Sequence, residues 1–181
     1  MDPACQVGTV QGHSVSIMVW GVFSWQFLGS SVLVSTSLNT IRYVELLGDH
    51  LHPFMLYCHP HGNRVFQQDN CTSYRSRLAT AWLEHSSDFF VMNLPHRSPD
   101  LNAIEHFWYV LEKGLKAHHT TPATLTELWT ALADVWQAIP VRNFRIPVES
   151  MPRRMAAVIK VTGGPTRYFN LLSLIQCIYI P

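Results

Sequence analysis

Apolar and polar positions change their period several times along the chain, and each change sets off a predicted element. SIMVWGVFSW and SSVLVST are β-branched and aromatic runs joined by a short Gly-containing stretch, which predicts an antiparallel hairpin. From Ser37 onward, Leu38, Ile41, Val44 (or Tyr43), Leu47 and Leu51 recur at helical spacing, and Pro53 is placed to end or bend that helix. HPHGN reads as a loop and RVFQQD as a short strand running into a polar turn. YRSRLATAWLEH predicts a helix with Leu78, Trp82 and Leu83 inward, and FFVMNL another buried strand.

Two later helices carry their own start signals. In RSPDLNAIEHFWYVLEKGL, Ser98 can cap and Pro99 suits the first helical position, where a missing N–H costs nothing. Leu101, Ile104, Trp108, Leu111 and Leu115 form its expected inner stripe. In TLTELWTALADVWQAI, Thr124 and Glu127 make a capping box, with Leu125, Leu128, Trp129, Leu132, Val135, Trp136 and Ile139 on one face. A basic stretch interrupted by Pro147 and Pro152 follows, and TGGPT closes the ordered part. Two strands, then strands alternating with helices, then further helices describe an α/β chain with an antiparallel start.

Composition narrows the class. The 181 residues are 48% hydrophobic and 14% charged, a globular and not a disordered balance. Net charge is +1, yet residues 141–167 hold six cationic side chains against Glu149 alone, a local +5 that leaves −4 elsewhere. Such a segment is either a phosphate-contacting patch or a solvated helix face. Cys5, Cys58, Cys71 and Cys177 are scattered, and no charged-and-apolar leader follows Met1. That predicts reduced thiols and a nuclear or cytoplasmic protein. No run reaches the ~20 apolar residues of a membrane span; YFNLLSLIQCIYIP comes nearest and reads as a sticky tail. Cys58, His59 and His61, with Cys71 nearby, lack the paired spacing of structural zinc.

Two acids carry the candidate chemistry. Asp69 closes the strand ending FQQD, and the rim at strand carboxyl ends is where open α/β sheets place their sites. Glu105 lies one turn into its helix beside Leu101 and Trp108, so that helix, packed on the sheet, can bring it to the same rim. Phosphodiester chemistry uses two Mg²⁺ ions ~3.5–4 Å apart, held by hard carboxylate oxygens on separate rigid elements. The alternative is ordinary: Asp-Asn starts turns, and a helical Glu is usually solvated. His106 is either a neighbour of that site or a helix-surface histidine.

FQQDN, SPDLNAIEHFW and VESMPRRMAAVIK…GGPTRY together resemble the catalytic domain of mariner-type transposases of the DDE class, over roughly Gly8 to Tyr168. The resemblance implies a ribonuclease H-like mixed sheet flanked by helices and two-metal hydrolysis and strand transfer at DNA. It further implies Mg²⁺ (or Mn²⁺) as cofactor, and Asp69 and Glu105 as two of three catalytic, metal-holding carboxylates. The family's first aspartate lies on a central strand upstream of the part matching GTVQGHSVSIMVWG, and Asp2 in MDPAC is no substitute. The expectation is therefore a domain, residues 8–168, lacking the first central strand, followed by an unrelated apolar tail, residues 169–181. The chain is expected to be a transposon-derived remnant that does not cut DNA. The other reading is a nucleic-acid or protein binding module without catalysis, with Arg153 and Arg154 on DNA phosphates or capping a helix end. Expected partners are DNA and a full-length transposase relative, with no membrane and no small-molecule substrate. Departures from the family pattern fall at Thr72, Tyr74, Leu94-Pro95 and Ala103.

Overall fold

Strand β1 (Ser16–Phe23) alternates its side chains between two cores, and the rest of the molecule is arranged around that alternation. Ile17 and Val19 point into one core and Trp20 and Val22 into the other, as the two-residue period of a strand requires. This computed structural model describes residues 16–34, 38–62, 64–69, 71, 73–86, 89–95, 98–117, 122–161 and 177–179. Asp2, residues 8–15, Ser37, the TGGPT stretch and residues 169–176 lie outside the described residues.

The expected hairpin forms: β1 pairs antiparallel with β2 (Leu28–Val34), from Met18↔Val34 to Phe23↔Leu28, with an irregularity between Gly21 and Phe23. Helix α1 (Thr40–Leu46) is capped by Asn39, whose side chain accepts from the Arg42 N–H. Pro53 does not end it. A π-helical turn (Leu47–Leu51) leads directly into α2 (His52–Cys58), with Pro53 in the first turn of α2. The wide turn falls where proline removes one ladder N–H, and a π-turn takes up that kind of disruption without breaking the axis. Ile41, expected inward, is exposed, because Tyr43 is buried with Leu46 and Leu47 and Ile41 sits on the far side of the same turns.

Strand β3 (Arg64–Gln68) pairs in parallel with β4 (Phe89–Asn93), and α3 (Arg77–His85) connects them. Ser76 caps α3, and it is Ala79 and Leu83 that are buried; Leu78, expected inward, is exposed. Leu78 stands ~100° around the helix from Ala79, so burying Ala79 and Leu83 leaves it outside. FFVMNL was expected to be buried, yet Phe90 and Met92 are exposed while Val91 packs on the second core. β4 is therefore covered on one face only.

After a 3₁₀ turn (Pro99–Leu101), α4 (Ile104–Lys116) and α5 (Leu125–Gln137) build the first core. Phe107, outside the expected stripe, is almost fully buried between Phe23, Trp136 and Phe144. Thr124 caps α5, while the Glu127 carboxylate reaches back to the Ala123 N–H at 2.8 Å; Leu125 is exposed. The basic stretch forms α6 (Val141–Glu149) and α7 (Met151–Lys160). Cys58 is a free thiol but Cys71 is disulfide-bonded, against the expectation of reduced cysteines throughout. Spacing in sequence carries no information about which thiols a fold brings together. Among the described residues no helix is long and apolar enough to cross a membrane.

Within residues 169–181, the stretch read as an unrelated tail, Cys177–Tyr179 form β5 and pair antiparallel with the start of β1. The strands thus make two sheets, β2-β1-β5 and β3-β4.

Candidate functional site

Asp69 directly follows β3, and its Oδ1 accepts the Cys71 N–H at 3.0 Å, a short-range turn that aims the carboxylate at the strand's end. Two further groups fix this rim. The Tyr43 hydroxyl donates to Gln68 Oε1, and the Tyr43 ring stacks on Tyr74 with centroids 4.2 Å apart. Ser73 Oγ donates to the Leu38 carbonyl at 2.6 Å, tying the turn after Asp69 to the entry of α1.

Glu105 occupies the first turn of α4, after the 3₁₀ turn Pro99–Leu101. That turn is held from both sides. Gln67 Nε2, on the strand that ends at Asp69, donates to the Leu101 carbonyl at 2.9 Å. From the other side Arg154 Nη1 donates to the Asp100 carbonyl at 3.2 Å. Arg154 is itself buried, and its Nε donates to Ser150 Oγ at 2.8 Å. Ser150 Oγ in turn donates to the Pro147 carbonyl at 2.7 Å. One strand amide and one arginine thereby fix where Glu105 stands relative to Asp69. Ser98, expected as the helix cap, instead donates from Oγ to the Pro95 carbonyl, and Asn102 Oδ1 accepts the Ile104 N–H at 3.4 Å.

Glu105 feels the charge of Asp69. Burial first, and then the Asp69 charge, push Glu105 up to about 8 from an ordinary value of 4.5. Burial also raises Asp69, with the Cys71 N–H pulling the other way. Tyr43 is raised well above the usual phenol, by burial and then by the Asp69 charge. His106 is lowered by burial and then by the Arg154 guanidinium, both disfavouring its charged form. Two partly buried hard-oxygen donors on separate rigid elements, each made more basic by its surroundings, suit a Mg²⁺- or Mn²⁺-class cation. Among the described residues no group of three or more His, Cys, Asp and Glu gathers.

Of the residues singled out in the sequence, the structure therefore brings Asp69 and Glu105 together and separates the arginines. Arg154 braces the turn before α4, whereas Arg153 is on the surface. Gln67, Tyr43 and the Asp100 carbonyl were not legible as site components. The signal available for Gln67 was two successive amides, Gln67 and Gln68, at the end of an otherwise apolar strand.

The mixed α/β architecture, with β3 ending at Asp69 and Glu105 opening α4, is of the ribonuclease H-like fold class. The comparisons with known proteins give the family. The model of the DDE superfamily endonucleases matches residues 10–128, and the chain belongs to that family. It is 32% identical over 167 residues to the transposable element Tcb2 transposase of Caenorhabditis briggsae, covering 92% of this chain and 60% of that one. The transposable element Tc1 transposase of Caenorhabditis elegans matches at 32% identity with the same coverages, 92% and 60%. The chain thus spans about 60% of the length of these relatives. Among solved structures, the catalytic domain of Mos1 mariner transposase superposes with a TM-score of 0.72 at 16% identity, over 85% of this chain and 82% of that one. The Mos1 mariner paired end complex with Mn gives 0.73 at 17% identity, over 90% and 48%. The fold is the ribonuclease H-like fold of a transposase catalytic domain.

Proposed function

We propose that this chain is the catalytic-domain part of a DNA transposase in which Asp69 and Glu105 hold a divalent cation. We propose further that these 181 residues alone neither cut nor join DNA. The observation that carries the metal reading is the convergence of the two carboxylates, one ending β3 and the other opening α4, with Gln67 and Arg154 bracing the turn between them. When bound, such a cation supplies polarisation of a phosphoryl oxygen and activation of the attacking one. Asp69 and Glu105 then provide hard oxygens, while Tyr43 and the Cys71 N–H hold Asp69 and its strand end in place. Mos1 transposase catalytic domain structures with Mg and with Mn support a cation of this class.

The inactivity reading rests on ligand number. The family resemblance asks for three carboxylates around a metal pair, and Asp69 and Glu105 match two of them. Loss of one such ligand costs orders of magnitude in rate, each tenfold being ~1.4 kcal/mol of barrier. DNA is the proposed partner of the site, as in the Mos1 paired-end complex with left transposon end; Arg153, on the surface, is its candidate phosphate contact.

The test pairs two readouts on the full chain. Mn²⁺ is expected to raise the melting temperature of the wild-type chain but not of Asp69→Asn. Transposon-end duplex incubated with Mg²⁺ or Mn²⁺ is expected to stay intact. Nicking that disappears in Asp69→Asn would overturn the inactivity reading, and an identical Mn²⁺ response in both proteins would overturn the metal reading.

A further inference from the structure

The turn between β1 and β2 carries Trp25, whose side chain is left 42% exposed yet held in one orientation. Its Nε1–H donates to Glu149 Oε1 at 3.3 Å, and Arg145 Nε donates to its carbonyl at 3.4 Å. The Arg145 guanidinium lies over the ring, 4.3 Å from its centroid. The turn beneath is closed on itself: the Ser24 N–H donates to the Phe27 carbonyl at 2.7 Å, and the Phe27 N–H to Ser24 Oγ at 3.0 Å. Phe27 meets the Tyr57 ring edge-on, with centroids 5.1 Å apart, which ties the turn to the end of α2. A lone exposed aromatic is ordinary on a protein surface. One fixed by contacts to two helices is a rigid flat face that loses little entropy when a second ring stacks on it.

Trp25 lines the same cleft as Asp69. That cleft, about 260 Å³, also takes in Val148 of α6, Gln68 at the end of β3 and Ile104 at the start of α4. Drug-sized ligands fill ~300–1,000 Å³, so this space admits a single ring system and not a duplex. Charge names the class of occupant. The helices α6 and α7 hold Arg142, Arg145, Arg153, Arg154 and Lys160 against Glu149 alone, and Arg142, Arg153 and Lys160 are exposed. Such a flank suits a polyanion. Glu149, at the indole edge, repels a phosphate there and leaves the ring to an uncharged planar group. A polyanion that carries uncharged planar groups is a nucleic acid, and a base enters so narrow a cleft only when unpaired.

We propose that Trp25, backed by Arg145, is a stacking platform that takes one unpaired base of a DNA strand into the cleft beside Asp69. This rests on the reading of DNA as the partner of the site, and not on the cation. It adds the form of DNA that the cleft takes, a strand with a free base. The guanidinium on the ring fixes the plane of the indole and offers a positive charge to the phosphate beside the stacked base. The same contacts also clip the hairpin to α6, and substitution separates the two roles.

Fluorescence anisotropy on the full chain, at low salt and without divalent cation, compares a labelled single strand of about a dozen nucleotides with a blunt duplex of the same sequence. Wild type is expected to bind the single strand more tightly. Trp25→Ala is expected to weaken the single strand about five- to hundredfold and the duplex less than about twofold. Trp25→Phe, which keeps a stacking ring and loses the bond to Glu149, is expected to stay within about threefold of wild type. Tryptophan emission is the companion signal: the single strand is expected to quench wild type and to quench Trp25→Phe markedly less. Equal losses on both probes, or Trp25→Phe as weak as Trp25→Ala, would overturn the platform and leave Trp25 a hairpin clip. Where Trp25→Ala fails to fold, emission decides alone, and equal quenching of wild type and Trp25→Phe overturns the proposal. Duplex binding without single-strand preference would sink the platform and spare the DNA reading. Binding of neither probe would sink both, and the Mn²⁺ melting shift judges the metal reading separately.

Discussion

Glu105 and Arg154 show how single side chains behave once a fold surrounds them. Glu105 has a folded pKa of about 8 against 4.5 ordinarily, so between those values the native state holds a proton the unfolded chain has released. Stability is therefore full at low pH and falls as pH rises toward 8. Without divalent cation, Glu105→Gln is expected to match wild type near pH 4 and to exceed it at pH 9 by on the order of 3 kcal/mol in urea melts. Wild type equal to or more stable than the variant at pH 9 would contradict the burial of this carboxyl. A bound cation reverses the sign by favouring the ionised pair, so the Mn²⁺ shift in melting temperature is expected to be larger at pH 8 than at pH 6. Arg154 is a separate case, a buried cation bonded to Ser150 and to the Asp100 carbonyl. Arg154→Ala is expected to cost about 2–4 kcal/mol in chemical denaturation, since it removes charge-assisted bonds from a buried position. Arg153→Ala, on the surface, is expected to stay within about 0.5 kcal/mol. The adjacent pair RR carried no sign of which arginine would be internal, because two neighbours on a helix point ~100° apart and only packing decides which faces inward.

At the scale of elements, β1 and α5 are joined through a glycine. A Cβ on Gly21 would lie 2.5 Å from Trp136 Cη2. The Trp136 ring cannot swing aside freely, because its Nε1–H donates to the Gly29 carbonyl at 2.9 Å and its ring packs on Phe107 and Trp108. Gly21→Ala is accordingly expected to destabilise by about 1–3 kcal/mol, read as a lower denaturation midpoint; an unchanged midpoint would mean the ring moves without loss. Element identity was largely readable in advance: the hairpin, the strand before Asp69, and the helices from Ile104 and Leu125 all follow from period and capping. Which face turns inward was read less well. Ile41, Leu78 and Leu125 are apolar and at plausible spacing, yet exposed, while Phe107 and Ala79 are buried. Apolar positions on these helices cover more than one stripe, and the sequence has no term for which stripe meets a neighbour.

Over the whole molecule, β1 belongs to both cores, so loss of either core strips packing from a strand on which the other depends. Leu111→Ala in the first core and Leu47→Ala in the second, both fully buried, are each expected to cost about 2–5 kcal/mol. Each is expected to lower a single transition seen alike by tryptophan fluorescence and far-ultraviolet circular dichroism; two separated transitions in either variant would show the cores to be independent. The sequence by itself determined the α/β class, the kind and order of most elements, and the two acids, because period, caps and turn residues act over a few neighbours in the chain. Only the tertiary structure decided that Gln67 and Arg154 clamp the turn before Glu105. It alone decided that burial and the Asp69 charge raise the proton affinity of Glu105, and that the C-terminal residues Cys177–Tyr179 pair with the first described strand. Those contacts join positions from 34 to more than 150 residues apart. Local propensity does not reach that far; close packing and the need of every buried polar group for a partner do.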